Sequence, residues 1–433
     1  PLLVRWQIFT NSPWMLKRTF MLLIRCMVGC KSLSRKKGRA SWRRLVLRTH
    51  RCNSAQSEDD RIMRSYYLIL TAVVASGLTA TPAVMQDMPA GASPYDVVDA
   101  WVKPFAPSGH AFGATTGVFA ESPDRIFVIQ RGEIRLPDPV PPGFQGFVGS
   151  IGQNALEAGD NRVWRNSIYV VDGGGNMIEA WTKWDEMFEG GAGPHKVKIS
   201  PFDPDRKVWV VDETNHQVHA FSNDGQELVM SLGAGGVGDD ENHFNRPQDL
   251  AFLEDGSIFV ADSENARVVK FDAEGNFVTT WGTQGSGRGE FDAVHAVATD
   301  SIGRIYVADR NNDRIQVFNE TTRSVWYHPN ISPIATWPGF EFPNDIYATG
   351  YDVWIADNMP PRMVKLDWNG NPQFSWDASG EGPGQFREIH QFSVDSENNF
   401  YGAGNVLGRV QKFVPKEGAS FMETFGAPDP PLQ

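Results

Sequence analysis

From residue 113 onward the chain is built of short runs in which apolar and polar residues alternate. Residues 246–282, RPQDLAFLEDGSIFVADSENARVVKFDAEGNFVTTWG, carry four such runs, at 249–253, 257–261, 267–271 and 277–281. Asp255-Gly256 and Glu274-Gly275-Asn276 separate runs, so the pattern predicts antiparallel strands joined by tight hairpins. The unit recurs from Asp292 (DAVHAVATDSIGRIYVADRNNDRIQVF) and from Phe342 (FPNDIYATGYDVWIADNMPPRMVKLDWNG), with looser copies from Gly193 and Arg387. A further copy begins near Thr115 and is broken by an insertion before NSIYVVDGGGNMIEAW. Four strands per period of about 40–50 residues, six times over, predict an all-β fold, a six-bladed β-propeller.

Aligned at the first strand, the six copies place Thr116, His195, Gln248, His295, Asn344 and His390 at one equivalent position. From His195 onward the steps are 53, 47, 49 and 46 residues. In a propeller this strand lines the central channel, and six blades are about 60° apart, so blades two, four and six are about 120° apart. The three histidines fall on those blades. Three imidazoles on one axis with an open fourth position suit a catalytic zinc ion. The blander reading is three channel histidines that serve as ordinary hydrogen-bonding groups.

Strand two runs antiparallel to strand one and returns to the same mouth. The residue just after it is Arg131 in blade one and Arg310 in blade four, against Glu213, Ser263, Asn358 and Asn405 elsewhere. Blades one and four face each other, so two guanidinium groups would overhang the metal and grip a carboxylate or carbonyl oxygen. Either arginine could instead be a structural partner of a loop carboxylate. The expected ligand is a small molecule or peptide bearing a carboxylate or carbonyl.

Composition divides the chain. Residues 1–62 hold 14 Lys/Arg against three acids, all three cysteines (Cys26, Cys30, Cys52) and no repeat. Residues 63–83, MRSYYLILTAVVASGLTATPA, read as a signal peptide: Arg64, an apolar run of about 14 residues, then small residues. The expectation is therefore that 1–62 is upstream sequence outside the natural protein, 63–83 a leader and 84–112 a lead-in. Residues 113–418 would form the propeller and 419–433 a tail. The part after the leader would be secreted or periplasmic, without a membrane span and without cysteine. With a net charge of −12 for the whole chain and a basic segment at its start, the repeats are strongly acidic. That argues against nucleic acid, which calls for a basic stripe.

The repeats resemble NHL-type propellers, and among them peptidyl-α-hydroxyglycine α-amidating lyase. The resemblance runs from about Gly113 to Phe413 and is most specific at QRGE around Arg131, GPHKV around His195, HQV at 216–218, ENHFNRPQD at 241–249 and ADRNNDRIQVF at 308–318. It implies zinc held by His195, His295 and His390, and substrate-facing Arg131 and Arg310. It also implies a structural calcium held by the backbone carbonyls of Val118 and Val197 and by one aspartate. The implied reaction is cleavage of a carbinolamide C–N bond to a peptide amide and glyoxylate. The chain departs from that family at four places. Gln391 stands where the aspartate is expected, and Glu388 where a methionine is expected. The tyrosine that serves as base would fall in DSENAR, where only Ser263 and Glu264 are available, and the disulfide cysteines are absent.

Glu264 is accordingly the candidate base, with a solvated turn residue as its plain alternative. A zinc hydrolase on the same cradle needs no tyrosine and competes with the lyase. A non-catalytic propeller that binds a peptide or protein is the other class. The insertion at 136–164 starts at the Arg131 mouth and is expected to be either a lid or a surface excursion. Trp181, Trp281 and Trp376 recur in the fourth strands and are expected to pack between blades. Both 95–105 and 419–426 compete for the outer strand of the last blade.

Overall fold

A computed structural model describes residues 88–103, 109–151, 162–319, 332–420 and 422–426. The basic segment, the expected leader and the end of the tail lie outside the described residues, as does His328.

Six antiparallel sheets of four blade strands follow one another along the described chain, and the protein is a six-bladed β-propeller of NHL-type repeats. Blade two, for example, runs Pro194–Ile199, Val208–Asp212, Gln217–Phe221 and Leu228–Leu232, each strand pairing with the next. The last blade takes its outer strand from the other end of the chain: Tyr95–Val98 pairs with Arg409–Pro415. The C-terminal segment instead inserts Phe425 between blades five and six, where its ring lies 4.3 Å from Trp354 and 5.1 Å from Phe400. Ala90–Gly91 adds a short parallel strand to blade five.

The core lies between blades. Trp281, at the end of blade three, meets Phe259 of its own blade and Phe318 of blade four, with ring centroids 6.0 and 5.7 Å away. Trp181 does the same between blades one and two, against Phe127 and Phe221. Its indole lies on Gly225, a left-handed turn residue where a Cβ would come 2.3 Å from the ring. Truncating one of these tryptophans to alanine should cost about 3–5 kcal/mol.

Part of the insertion in blade one is among the described residues. Glu133–Arg135 and Arg162–Val163 join His110–Phe112 in a separate three-stranded sheet. Trp164 packs on Gly193, where a Cβ would meet the indole at 2.8 Å and the Arg131 side chain at 3.2 Å. Residues 152–161 lie outside the described residues.

A recurring local device aims the channel residues. The residue two before the anchor is left-handed in blades two to five: Gly193, Arg246, Ala293 and Phe342. The ladder then slips across the anchor, between Pro194 and Val197, Pro247 and Asp249, Val294 and Ala296, and Pro343 and Asp345. Such a bulge leaves a residue without a ladder partner and redirects its side chain. The strand-two aspartates fix the approach: Asp262, Asp309 and Asp357 accept the backbone N–H of Asn245, Asp292 and Glu341 at 2.7 Å. Each also pairs with an arginine of strand three, Arg267, Arg314 or Arg362.

Candidate metal centre

His195 and His295, each on a bulged first strand, and His390, just before the strand Gln391–Val394, come together. Their ring centroids are 5.1, 4.6 and 5.2 Å apart, and one ring nitrogen from each lies within 4.8 Å of the others. The exposures are 2%, 1% and 3%, so water contributes little to holding them in place. Each Nδ1 donates to the backbone carbonyl of the anchor in the following blade: His195 to Gln248 at 2.7 Å, His295 to Asn344 at 2.6 Å, His390 to Thr116 at 2.6 Å. A carbonyl only accepts, so the proton is on Nδ1 and the Nε2 lone pair is left for another partner. The histidine-free blades thus orient the imidazoles of the others through their backbones.

Burial holds all three imidazoles well below their ordinary range, aided by Arg131 and Lys196 at His195, Arg310 at His295, and His195 at His390. Neutral imidazoles with converging lone pairs are the donor set that zinc takes at about 2.0–2.1 Å. The residues fit that ion.

Arg131 and Arg310 border the same mouth. Arg131 is tied to Glu213 at 2.7 Å, the loop-carboxylate pairing that was one of its two expected roles. Glu213 also receives Nε of Arg246 at 2.7 Å. The Arg310 guanidinium lies 4.5 Å from the ring centre of Phe342. Burial lowers the pKa of both arginines. In each, Nε is buried without a hydrogen-bond partner among the described residues. The same holds for Gln248 Oε1, Asn344 Oδ1, Ser263 Oγ and Asn405 Oδ1. Buried polar groups in folded proteins bond to protein, ordered water or ligand, so these atoms are the ones a polar ligand or water in the mouth would meet.

Besides Glu213, the carboxylates of Glu264 and Glu388 act on this region, and they differ. Glu264 is on the rim, its side chain 52% exposed and 3.7 Å from Arg246. Glu388 is inside. It accepts from the side chains of Asn344 and Asn405, and burial pushes its carboxyl up against the pull of those bonds and of Arg310 and Arg131. In the sequence Glu388 shows only as a departure from a family residue; its place two before His390 was the available signal.

At the expected calcium position, Gln391 engages Val197. The Val197 carbonyl accepts Nε2 of Gln391 at 2.7 Å, and the Val197 N–H donates to Gln391 Oε1 at 3.2 Å. The amide therefore engages one of the two carbonyls expected to hold the ion, and turns an N–H toward it. A hard cation wants six to eight oxygens. Of the remaining histidines, His219 bonds Ser231 and Asp212, and His216 is a turn residue whose Nδ1 accepts from the Arg246 backbone.

Comparison with known proteins agrees with the class. A family model described as a 6-bladed beta-propeller matches residues 237–332. The chain is 39% identical over 131 residues to the "Probable peptidyl-alpha-hydroxyglycine alpha-amidating lyase" of Caenorhabditis elegans, covering 29% of this chain and 37% of that protein. It is 35% identical over 193 residues to mouse peptidyl-glycine alpha-amidating monooxygenase, covering 41% of this chain and 19% of that one. A third relative, NHL repeat-containing protein 3 of mouse, is 32% identical over 167 residues, covering 36% and 46%. The matches span less than half the length of each of these relatives. The chain resembles the amidating lyases as an NHL propeller. Among the described residues no helix is long and apolar enough to cross a membrane.

Proposed function

We propose that this propeller is a secreted or periplasmic zinc lyase of the peptidyl-α-hydroxyglycine amidating type. The observation that carries the reading is three neutral imidazoles converging beside two buried arginines, Arg131 and Arg310.

The reaction divides R–CO–NH–CH(OH)–COO⁻ into R–CO–NH₂ and glyoxylate. The hydroxyl loses its proton, the C–N electrons pass to nitrogen, and nitrogen takes up a proton. No oxidant is used and no water is consumed. A zinc ion held by His195, His295 and His390 would supply Lewis-acid polarisation of a substrate oxygen. Arg131 and Arg310 would hold the carboxylate, with Glu213 fixing the first guanidinium and Phe342 the second. Glu388 would accept a hydrogen bond from the substrate's N–H or O–H and so set which face of the carbinol carbon is presented. Glu264 is the rim carboxylate from which a proton could exchange with solvent, and it is assigned only that role.

A zinc hydrolase is the second reading, favoured by one observation: the turn that carries Ser263 and Glu264 contains no tyrosine. The deciding experiment gives the full chain α-hydroxyhippurate and follows glyoxylate and benzamide, with zinc-stripped protein as the control. Equal release of both products above the control supports the lyase. Full zinc occupancy with untouched substrate removes it, and leaves the hydrolase or a propeller that only binds a peptide or protein.

A further inference from the structure

One residue beyond the anchors, the channel holds a buried ionic cluster that the metal chemistry does not use. Lys196 is fully buried. Its Nζ donates to Asp345 Oδ1 at 2.7 Å, to Asp249 Oδ2 at 3.3 Å and to the Asn344 carbonyl at 3.1 Å. An ammonium has three protons, and three acceptors receive them. Lys198 adds a second ammonium, 2.7 Å from Asp249 Oδ1 and 3.1 Å from the Val297 carbonyl. Two positive and two negative charges meet at the channel centre, so the cluster is neutral as a whole.

Its carboxylates also reach the backbone of other blades. Asp249 of blade three accepts the N–H of Val297 in blade four at 3.0 Å, and Asp345 of blade five accepts the N–H of Phe392 in blade six at 2.9 Å. Gln391 of blade six closes the pattern on Val197 of blade two. Gly117 leaves the space for it, since a Cβ there would come 2.6 Å from Gln391 Oε1. In each case the bonded N–H lies two residues after a histidine anchor. The cluster therefore ties together the strands that carry all three imidazoles.

We propose that the Lys196 ammonium is the built-in structural cation of this channel, and that the protein holds no divalent ion there. Three features support this. The central cation position is taken by Nζ, both carboxylates are already neutralised, and the Val197 carbonyl is engaged by an amide. A calcium ion would have to displace two lysines and the Gln391 side chain to obtain its oxygens. Because the cluster is ionic and buried, removing the Lys196 ammonium leaves it with one net negative charge and Asp345 without its 2.7 Å partner, which is strongly destabilising. The proposal stands apart from the lyase reading and survives its failure.

The test uses the full chain, prepared free of calcium with zinc present, and titrates calcium back. Wild-type protein is expected to retain no calcium on elemental analysis and to melt at the same temperature at every calcium concentration. Lys196→Met is expected to melt well below wild type. One calcium retained per chain, or a calcium-dependent rise in the wild-type melting temperature, would overturn the proposal. So would a Lys196→Met protein as stable as wild type. If that variant does not fold, the wild-type titration decides alone.

Discussion

His295 donates from Nδ1 to the backbone carbonyl of Asn344, 2.6 Å away, while the side-chain amide of Asn344 holds Glu388. One residue thus serves two parts of the mouth through different atoms. Asn344→Ala keeps the carbonyl and removes the amide. The zinc content should therefore stay at the wild-type level, while kcat/KM falls about ten- to a hundredfold, the worth of a hydrogen bond to a charged group. Elemental analysis beside steady-state kinetics checks both halves.

The two arginines should separate by substrate. Arg310→Ala removes a guanidinium that lies over the Phe342 ring, and KM for a carboxylate-bearing substrate should rise at least tenfold. With the carboxylate capped as an amide, wild type and variant should converge. Arg131→Lys is expected to behave like a deletion, because an ammonium cannot keep the Glu213 geometry and also reach a carboxylate.

Glu388 and Glu264 can be told apart by neutral isosteres. Glu388→Gln should lower kcat/KM about ten- to a hundredfold, as loss of a charged acceptor inside the mouth. Glu264→Gln, on the rim, should stay within a few-fold of wild type. The opposite order would hand the substrate-facing role to Glu264.

Much of this was written in the repeat. The spacing of Thr116, His195, Gln248, His295, Asn344 and His390 defined six blades, and the alternation of histidine defined a threefold set. The structure brings those three rings together. Trp181, Trp281 and Trp376 are buried between blades, as their recurrence in the fourth strands implied. Lys196, Asp249 and Asp345 are not legible in the same way, although each is a charge directly behind an anchor and ahead of an apolar run. Strand alternation would send that residue away from the channel. The bulge reverses this, and a bulge is a backbone event that alternation alone does not announce. The outer strand of the last blade was equally open, because 95–98 and the tail are both short and apolar. Pairing along Arg409–Pro415 chose the former, and Phe425 found its place between blades.

One repeat aspartate should leave a mark on the pH dependence of stability. Burial pushes the Asp357 carboxyl up to about 6 against the pull of Arg362. The folded value is then above the unfolded one of about 3.9. The associated stability is complete below about pH 4 and is lost as pH rises through about 6. Subtracting the Asp357→Asn stability curve from that of wild type should reveal this fall between pH 4 and 7. A flat difference would show that Arg362 fully offsets the burial.

The central claim is that three alternate blades aim their imidazoles at one ion. Its most direct measurement is zinc per chain in wild type and in His295→Ala, with circular dichroism run alongside. The account predicts close to one zinc in wild type and a large loss in the variant with the β spectrum intact. Wild-type protein refolded or dialysed with zinc that retains none, or a His295→Ala protein that keeps its full complement, would contradict it.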